Sequence, residues 1–547
     1  MKVALAQINP TVGDFSGNQA KIIEISRKAS AAGANLVVFP ELAVCGYPPA
    51  DLIEKPDFVD RSVNTLHEIA TATADLPLAL LCGYVGPAER DSGRPAVNRA
   101  ALLQGGKVLF SQQKMLLPFY DVFDEQRYFA PAQQQQVFAL GHNKLAITVC
   151  EDAWNDKTFW ARPLYKTDPV ESLMREGASL IVNLSASPYF RGKRELRREM
   201  LANLARTYRV PLVMVNQVGG NDSLVFDGTS MAFNSKGETT AQAASFAEDL
   251  LIVDTECDRG ISLPPENEDA AVYDALVLGT RDYVRKCGFK KAIVGLSGGI
   301  DSALVAAIAV DALGKENVLG VGMPSRYSSS GSIDDARELA SNLGMRFEQI
   351  PIEEIYQAFT KSLVPAFNGL KPDLTEENLQ SRARGVLLMA LSNKSNALVL
   401  TTGNKSEMST GYSTLYGDMV GALAVIGDVV KTSVYRIAEH VNRNGVRIPI
   451  ATMKKPPSAE LRPGQKDTDT LPPYEVLDPI LERYVERYET AEQIASQTGA
   501  SLQLVHSVIS MVERSEYKRQ QAAPVLKVTP KAFGMGRRFP IAKKIEV

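Results

Sequence analysis

Ala292-Ile293-Val294-Gly295-Leu296-Ser297-Gly298-Gly299-Ile300-Asp301-Ser302-Ala303 joins an apolar run to a glycine-rich turn and then to a stretch that reads as helix. The run at 292–296 has the length and composition of a buried strand, and the helical pattern covers residues 302–313. Glycines at a strand-to-helix turn let the backbone approach an anion. The first amides of the helix then point at that anion with a favourable dipole. The hydroxyls of Ser297 and Ser302 add donors, and Asp301 suits a magnesium ion. A tight turn alone would explain a lone Gly-Gly pair. The flanking Ser, Asp and Ser favour a phosphate cradle made of Gly295, Leu296, Ser297, Gly298, Gly299, Ile300, Asp301 and Ser302. The G-x-x-x-x-G-K-[ST] pattern is absent, so this is not a kinase-type loop.

Working outward from the cradle, residues 318–323 and 397–401 read as strands, with helical patterns at 332–343 and before residue 397. That order predicts a doubly wound parallel sheet. Upstream, Pro264-Pro265-Glu266-Asn267-Glu268-Asp269 is polar and contains prolines, which reads as a linker over 261–270. It divides the chain into expected domains at 1–260 and 271–547. The first has a different rhythm. Apolar runs at 3–8, 36–39, 78–85, 145–149, 180–184 and 212–215 have strand length, and helical stretches fall at 18–32 and 194–208. Two hairpin signals lie at 101–109, turning on Gly105-Gly106, and at 231–237. Buried strands with covering helices predict an α/β sandwich. The glutamine run at 133–136 reads as a solvated loop.

A chain of 547 residues allows two to four domains. Apolar residues at 45% and charged residues at 22% fit well-filled globular cores. A net charge of −3 argues against a nucleic-acid binder or a membrane-surface protein. Five scattered cysteines without a C-x-x-C pair fit a reducing compartment. The start shows no signal-peptide pattern, and no segment reaches the ~20 apolar residues a membrane span needs. A cytoplasmic enzyme is the expectation.

In the first domain Cys150 ends an apolar strand and is followed by Glu151-Asp152-Ala153-Trp154. A lone cysteine there is more often structural than catalytic. His67, His142, His440 and His506 are the only histidines, and none sits in a motif suggesting a base. A nucleophilic Cys150 therefore needs a carboxylate to take its proton and a cation to stabilise the thiolate and the oxyanion. Glu41 ends the run Leu36-Val37-Val38-Phe39-Pro40-Glu41, and Lys114 opens Lys114-Met115-Leu116-Leu117-Pro118-Phe119-Tyr120-Asp121-Val122-Phe123-Asp124-Glu125.

The phrases FPELAVCGY, KMLLPFYDVFDE and ITVCEDAW, in this order, resemble the nitrilase superfamily of carbon–nitrogen hydrolases. The resemblance implies an α-β-β-α sandwich with Glu41 as general base, Lys114 as oxyanion stabiliser and Cys150 as nucleophile. It implies that Glu125 orients Lys114 and that Tyr120, Ser187 and Lys193 hold glutamine. The SGGxDS pattern resembles the N-type ATP pyrophosphatases, which implies an adenine nucleotide α-hydrolase-like fold. Leu400-Thr401-Thr402-Gly403-Asn404-Lys405-Ser406-Glu407 and Gly411-Tyr412-Ser413-Thr414-Leu415-Tyr416-Gly417-Asp418 look like the NAD synthetases. That likeness implies ATP contact by Thr402 and magnesium at Asp301 and Glu407. It also implies binding of deamido-NAD by Asn378, Arg382, Glu407 and Lys518. Exposed helix positions remain the alternative for Asn378 and Arg382, and a solvated charged face for Lys518.

Both halves in one chain are similar to the glutamine-dependent NAD synthetases. The implied substrates are deamido-NAD, ATP and glutamine, with Mg2+ as cofactor. The implied state is a homo-oligomer, at least dimeric through the synthetase domain, with no nucleic-acid or membrane partner. An RNA-modifying pyrophosphatase and an amidase with a nucleotide-sensing half are the rival readings.

Overall fold

The computed structural model describes residues 1–89 and 93–545. It divides into two compact units, one of residues 1–221 and 225–266, the other of 222–224 and 267–547.

Among the described residues the first unit has fourteen strands: β1 Lys2–Gln7, β2 Leu36–Val38, β3 Ala79–Pro87, β4 Ala96–Gln104, β5 Lys107–Gln113, β6 Phe138–Leu140, β7 Asn143–Val149, β8 Leu180–Ser185, β9 Leu212–Asn216, β10 Val218–Asn221, β11 Leu224–Asp227, β12 Met231–Phe233, β13 Thr239–Gln242 and β14 Asp249–Asp254. They form two six-stranded sheets, ordered β14-β1-β2-β3-β4-β5 and β13-β12-β9-β8-β7-β6, with β10 and β11 pairing by themselves. The inward residues of both sheets share one core, including Leu5, Val38, Leu81 and Leu102 against Ile147, Val182, Val213 and Ala232. The outer face of the second sheet is covered by Pro169–Arg175 and Lys193–Tyr208, whose Leu173, Met200, Leu201 and Leu204 pack on Ile181, Leu212 and Met214. Helices Phe15–Ala31 and Pro56–Ala72 belong to the first sheet's side, and the layers run α-β-β-α. Parallel strands β1, β2 and β3 and parallel strands β7, β8 and β9 end in the same direction within each sheet. Glu41 and Cys150 lie just past the ends of β2 and β7. The β4–β5 hairpin turns on Gly105 and Gly106 at φ 56° and 78°, a backbone region that costs glycine nothing.

The second unit carries a five-stranded parallel sheet: β15 Ala292–Leu296, β16 Val318–Gly322, β17 Arg346–Gln349, β18 Leu398–Thr401 and β19 Leu423–Ala424, ordered β17-β16-β15-β18-β19. The order reverses between β15 and β18. At such a switch point the loops leave in opposite directions and open a crevice at the carboxyl ends of the strands. The glycine turn follows β15, and Thr402 follows β18. Helix Ile300–Leu313 is apolar on nearly every face and almost wholly buried, so it forms a rigid base for the turn at its start. A helical cluster built on Leu477, Ile480, Val505, Val508 and Val512 completes the unit. Helix Glu268–Lys286 begins within the 261–270 stretch, capped by the Asn267 side chain on the Ala270 N–H. Among the described residues no helix is long and apolar enough to cross a membrane.

Candidate functional site

In the first unit three buried charges meet. The Lys114 ammonium, fully buried, lies 2.7 Å from Glu41 Oε1 and 2.8 Å from Glu125 Oε2. Glu41 also accepts from Asn98 Nδ2 at 2.7 Å and from the Ala186 N–H at 3.1 Å. Glu125 accepts from the Tyr47 hydroxyl at 2.9 Å. Burial works against the ammonium, but Glu125 and Glu41 outweigh it and hold the Lys114 pKa well above its usual value. Burial pushes the Glu125 carboxyl up to about 7, with Lys114 opposing.

Cys150 is buried and sits at φ 45°, in the left-handed region. A non-glycine residue held there costs on the order of 1–3 kcal/mol, and such strain collects where a side chain must be presented at a fixed angle. Its thiol is pushed well above the usual range by burial first and by Glu41 next, while Lys114 pulls the other way. The cation does lower the thiol's pKa, as the Cys–Lys pairing implies, but burial and Glu41 outweigh it.

Asp152 connects these groups. Its Oδ1 accepts from the Met115 and Leu116 N–H groups at 3.0 and 2.8 Å. Its Oδ2 accepts from the Val149 N–H at 3.1 Å and Gln135 Nε2 at 2.9 Å. Gln133, Gln134 and Gln136 lie exposed on a loop, as expected, while Gln135 is buried and supports the site. Beside the thiol, Glu151 accepts from the Tyr120 and Tyr165 hydroxyls, each at 3.1 Å. Lys193 stands over the Trp154 ring at 4.2 Å, and its charge reaches Glu151. Ser187 is buried, with its N–H donating to Asn216 Oδ1 at 2.8 Å. Tyr47 and Asp152 lie within the quoted phrases but were given no role there, and Asn98 and Tyr165 lie outside them.

In the second unit a cavity of about 540 Å³ is lined by Gly295, Leu296, Ser297, Gly299, Ile300, Asp301, Ser302, Thr402 and Glu407, among others. Gly298 is at φ 76°, and a Cβ there would lie 2.3 Å from the Ser332 carbonyl oxygen, so only glycine fits. Ser297 Oγ accepts from the Gly299 N–H at 3.2 Å and lies 3.2 Å from Ser302 Oγ, which fixes the turn. Asp301 accepts from Asn404 Nδ2 at 3.0 Å and pairs with Lys431, which is 3.5 Å from Glu407. Burial pushes Glu407 up to about 8, opposed by Lys431 and aided by Asp301. Lys431 lies outside every quoted motif, and Asn404 lies within one that assigned it no role.

The two carboxylates fit magnesium. It takes hard oxygen donors, typically one or two carboxylates, and fills its remaining positions with water and phosphate oxygens. Among the described residues no group of three or more His, Cys, Asp or Glu is placed to hold a metal.

Asn378, Arg382 and Lys518 come together on one loop rather than on the cavity wall. Asn378 Oδ1 accepts from the Thr414 hydroxyl at 2.8 Å, and Arg382 Nε donates to the Leu415 carbonyl at 3.2 Å. Lys518 Nζ donates to the carbonyls of Gly411 and Ser413, both at 2.7 Å. Tyr412 and Ser413 of that loop line the cavity.

The carbon-nitrogen hydrolase family matches residues 2–264, and the NAD synthase family matches residues 272–522. A glutamine-dependent NAD(+) synthetase of Synechocystis sp. is 49% identical, with 99% of this chain and 98% of the relative covered. One from Thermotoga maritima is 45% identical over 100% of this chain and 99% of the relative. The solved structure of glutamine-dependent NAD+ synthetase from Acinetobacter baumannii, in complex with adenosine diphosphate, is 40% identical. It covers 99% of this chain and 98% of its own, with a TM-score of 0.77. With both domain families in order and relatives alike over their full length, this chain belongs to the glutamine-dependent NAD(+) synthetases.

Proposed function

We propose that the chain forms NAD from deamido-NAD, ATP, glutamine and water, releasing AMP, pyrophosphate and glutamate, as the last step of NAD synthesis in the cytoplasm. The observation that carries the nitrogen half is the Lys114 ammonium fixed between Glu41 and Glu125 beside the strained Cys150. Cys150 Sγ attacks the glutamine amide carbon and its proton passes to Glu41. The carbonyl oxygen gains charge facing Lys114, whose ammonium is already desolvated and oriented. Glu41 returns the proton to the leaving nitrogen, ammonia departs, and a thioester remains. Glu41 then takes a proton from water, whose oxygen attacks the thioester carbon; the C–S bond breaks, glutamate leaves, and Glu41 returns the proton to Cys150 Sγ. Tyr120, Ser187 and Lys193 bind the glutamine.

In the second unit, amides and hydroxyls of residues 295–302, with Thr402, cradle the ATP phosphates. Asp301 and Glu407 would hold Mg2+, which supplies charge neutralisation at the phosphate oxygens. The nicotinate carboxylate attacks the α-phosphorus, pyrophosphate leaves, and ammonia displaces AMP from the acyl-adenylate. Asn378, Arg382 and Lys518 serve deamido-NAD by shaping the 411–415 loop, with Glu407 at its edge. A homo-oligomer, at least a dimer through the synthetase domain, is part of this proposal.

The test is stoichiometry. AMP and pyrophosphate should each appear one for one with NAD, from glutamine or from ammonium. ADP as the nucleotide product, or glutamine hydrolysis with no AMP at all, overturns the reading and favours the nucleotide-sensing amidase.

A further inference from the structure

Residues 404–407 open the short helix Lys405–Thr410 after β18, and their side chains face two ways. Asn404 and Glu407 face Asp301 and Lys431. Lys405 and Ser406 face the opposite side. Lys405 is completely buried, and its ammonium is 2.9 Å from Asp428 Oδ1, 2.6 Å from Glu486 Oε1, 2.7 Å from Thr529 Oγ1 and 2.8 Å from the Lys531 carbonyl. Four acceptors around three N–H donors leave the group one orientation. Asp428 in turn accepts from the N–H groups of Val528 and Thr529 at 2.8 and 2.7 Å. Val525 pairs with Ala424 of β19. Ser406 Oγ donates to Asp478 Oδ1 at 2.6 Å and accepts from the Lys431 N–H at 2.9 Å.

We infer that Lys405 is a positioning residue for the synthetase reaction, and that the C-terminal segment 525–531 is the brace that fixes it. The inference rests on the reading of Asp301 and Glu407 as the metal-side groups. Lys405 lies away from the cavity, so it touches neither substrate nor metal. It sets the rotation of the turn whose two other side chains reach Asp301 and Lys431. Replacing a buried ion network with apolar groups is often neutral or favourable for stability. Its best physical use here is therefore to specify one geometry. Supports of this kind typically change metal affinity or activity by about 10- to 100-fold.

The test uses the full chain with Thr529→Val, Thr529→Ser and Lys405→Met. Mg2+ is titrated calorimetrically in the presence of a non-hydrolysable ATP analogue, and unfolding midpoints and basal glutamine hydrolysis are measured alongside. Thr529→Val should bind Mg2+ on the order of 10-fold more weakly, Thr529→Ser should stay close to wild type, and basal glutamine hydrolysis should be unchanged. Should Lys405→Met fail to fold, the valine and serine pair decides alone. Wild-type Mg2+ binding by Thr529→Val, whatever its midpoint, overturns the brace. Undiminished Mg2+ binding by Asp301→Ala instead overturns the metal reading beneath it.

Discussion

Replacing Asp152 with Asn should damage glutamine hydrolysis while leaving synthesis from ammonium intact. Four N–H donors converge on this one carboxylate, two on each oxygen. Asn keeps one acceptor oxygen and turns the other into a donor, so two of the four donors face an NH2 group whichever way the amide turns. A stranded buried donor costs about 1–3 kcal/mol, which gives about 2–6 kcal/mol for the pair. That is a large share of the ~5–15 kcal/mol that holds a domain folded, and still survivable. The kinetic cost is more specific. Two of the donors flank Lys114 and Cys150 in sequence, so relaxing them moves the cation relative to the nucleophile. A shift of about 1 Å costs on the order of 100-fold in rate. The assay is urea unfolding with glutamate release, referenced to ammonium-dependent synthesis by the same preparation. A variant with wild-type unfolding and wild-type glutamate release would refute the view of Asp152 as the tie between the two loops.

Cys150→Ala should abolish synthesis from glutamine and keep synthesis from ammonium, measured as NAD formed with each donor; equal loss of both in a folded variant would mean a structural cysteine. Asp301→Ala should abolish synthesis from either donor, and normal ammonium-dependent turnover would contradict its metal role. Glu407 provides a pH test without divalent metal. Its carboxyl is raised from the ordinary 4.5 to about 8, mainly by burial, so the native state holds a proton that the unfolded chain has lost. This group's contribution to stability therefore falls as pH rises through that window. Glu407→Gln does not titrate, so its midpoint relative to wild type should climb between these pH values, and a flat difference would count against the shift.

Much of this was legible in the chain because the information is local. A strand running into Ser-Gly-Gly-x-Asp-Ser needs only neighbouring residues to declare a glycine turn at the start of a helix, and Glu41, Lys114 and Cys150 each end or open a short recognisable phrase. What was not legible depends on residues far apart. Nothing near Lys431 or Lys405 in sequence says that these lysines are buried, since their carboxylate partners lie 23 to 130 positions away. The run at 133–136 looks polar throughout, and only the fold turns Gln135 inward onto Asp152. Asn378, Arg382 and Lys518 were placed by resemblance, and the fold gives them a shared loop to hold. The raised pKa of Cys150 also needed three dimensions, because the balance of burial, Glu41 and Lys114 around it cannot be judged from spacing.

The most direct test of the whole account is mass spectrometry of the products formed from deamido-NAD, MgATP and glutamine labelled with heavy nitrogen at the side-chain amide. The account predicts NAD carrying the heavy nitrogen in its carboxamide, with AMP and pyrophosphate formed in equal amount. Unlabelled NAD in ammonium-free buffer, or heavy ammonia with neither NAD nor AMP, would contradict it.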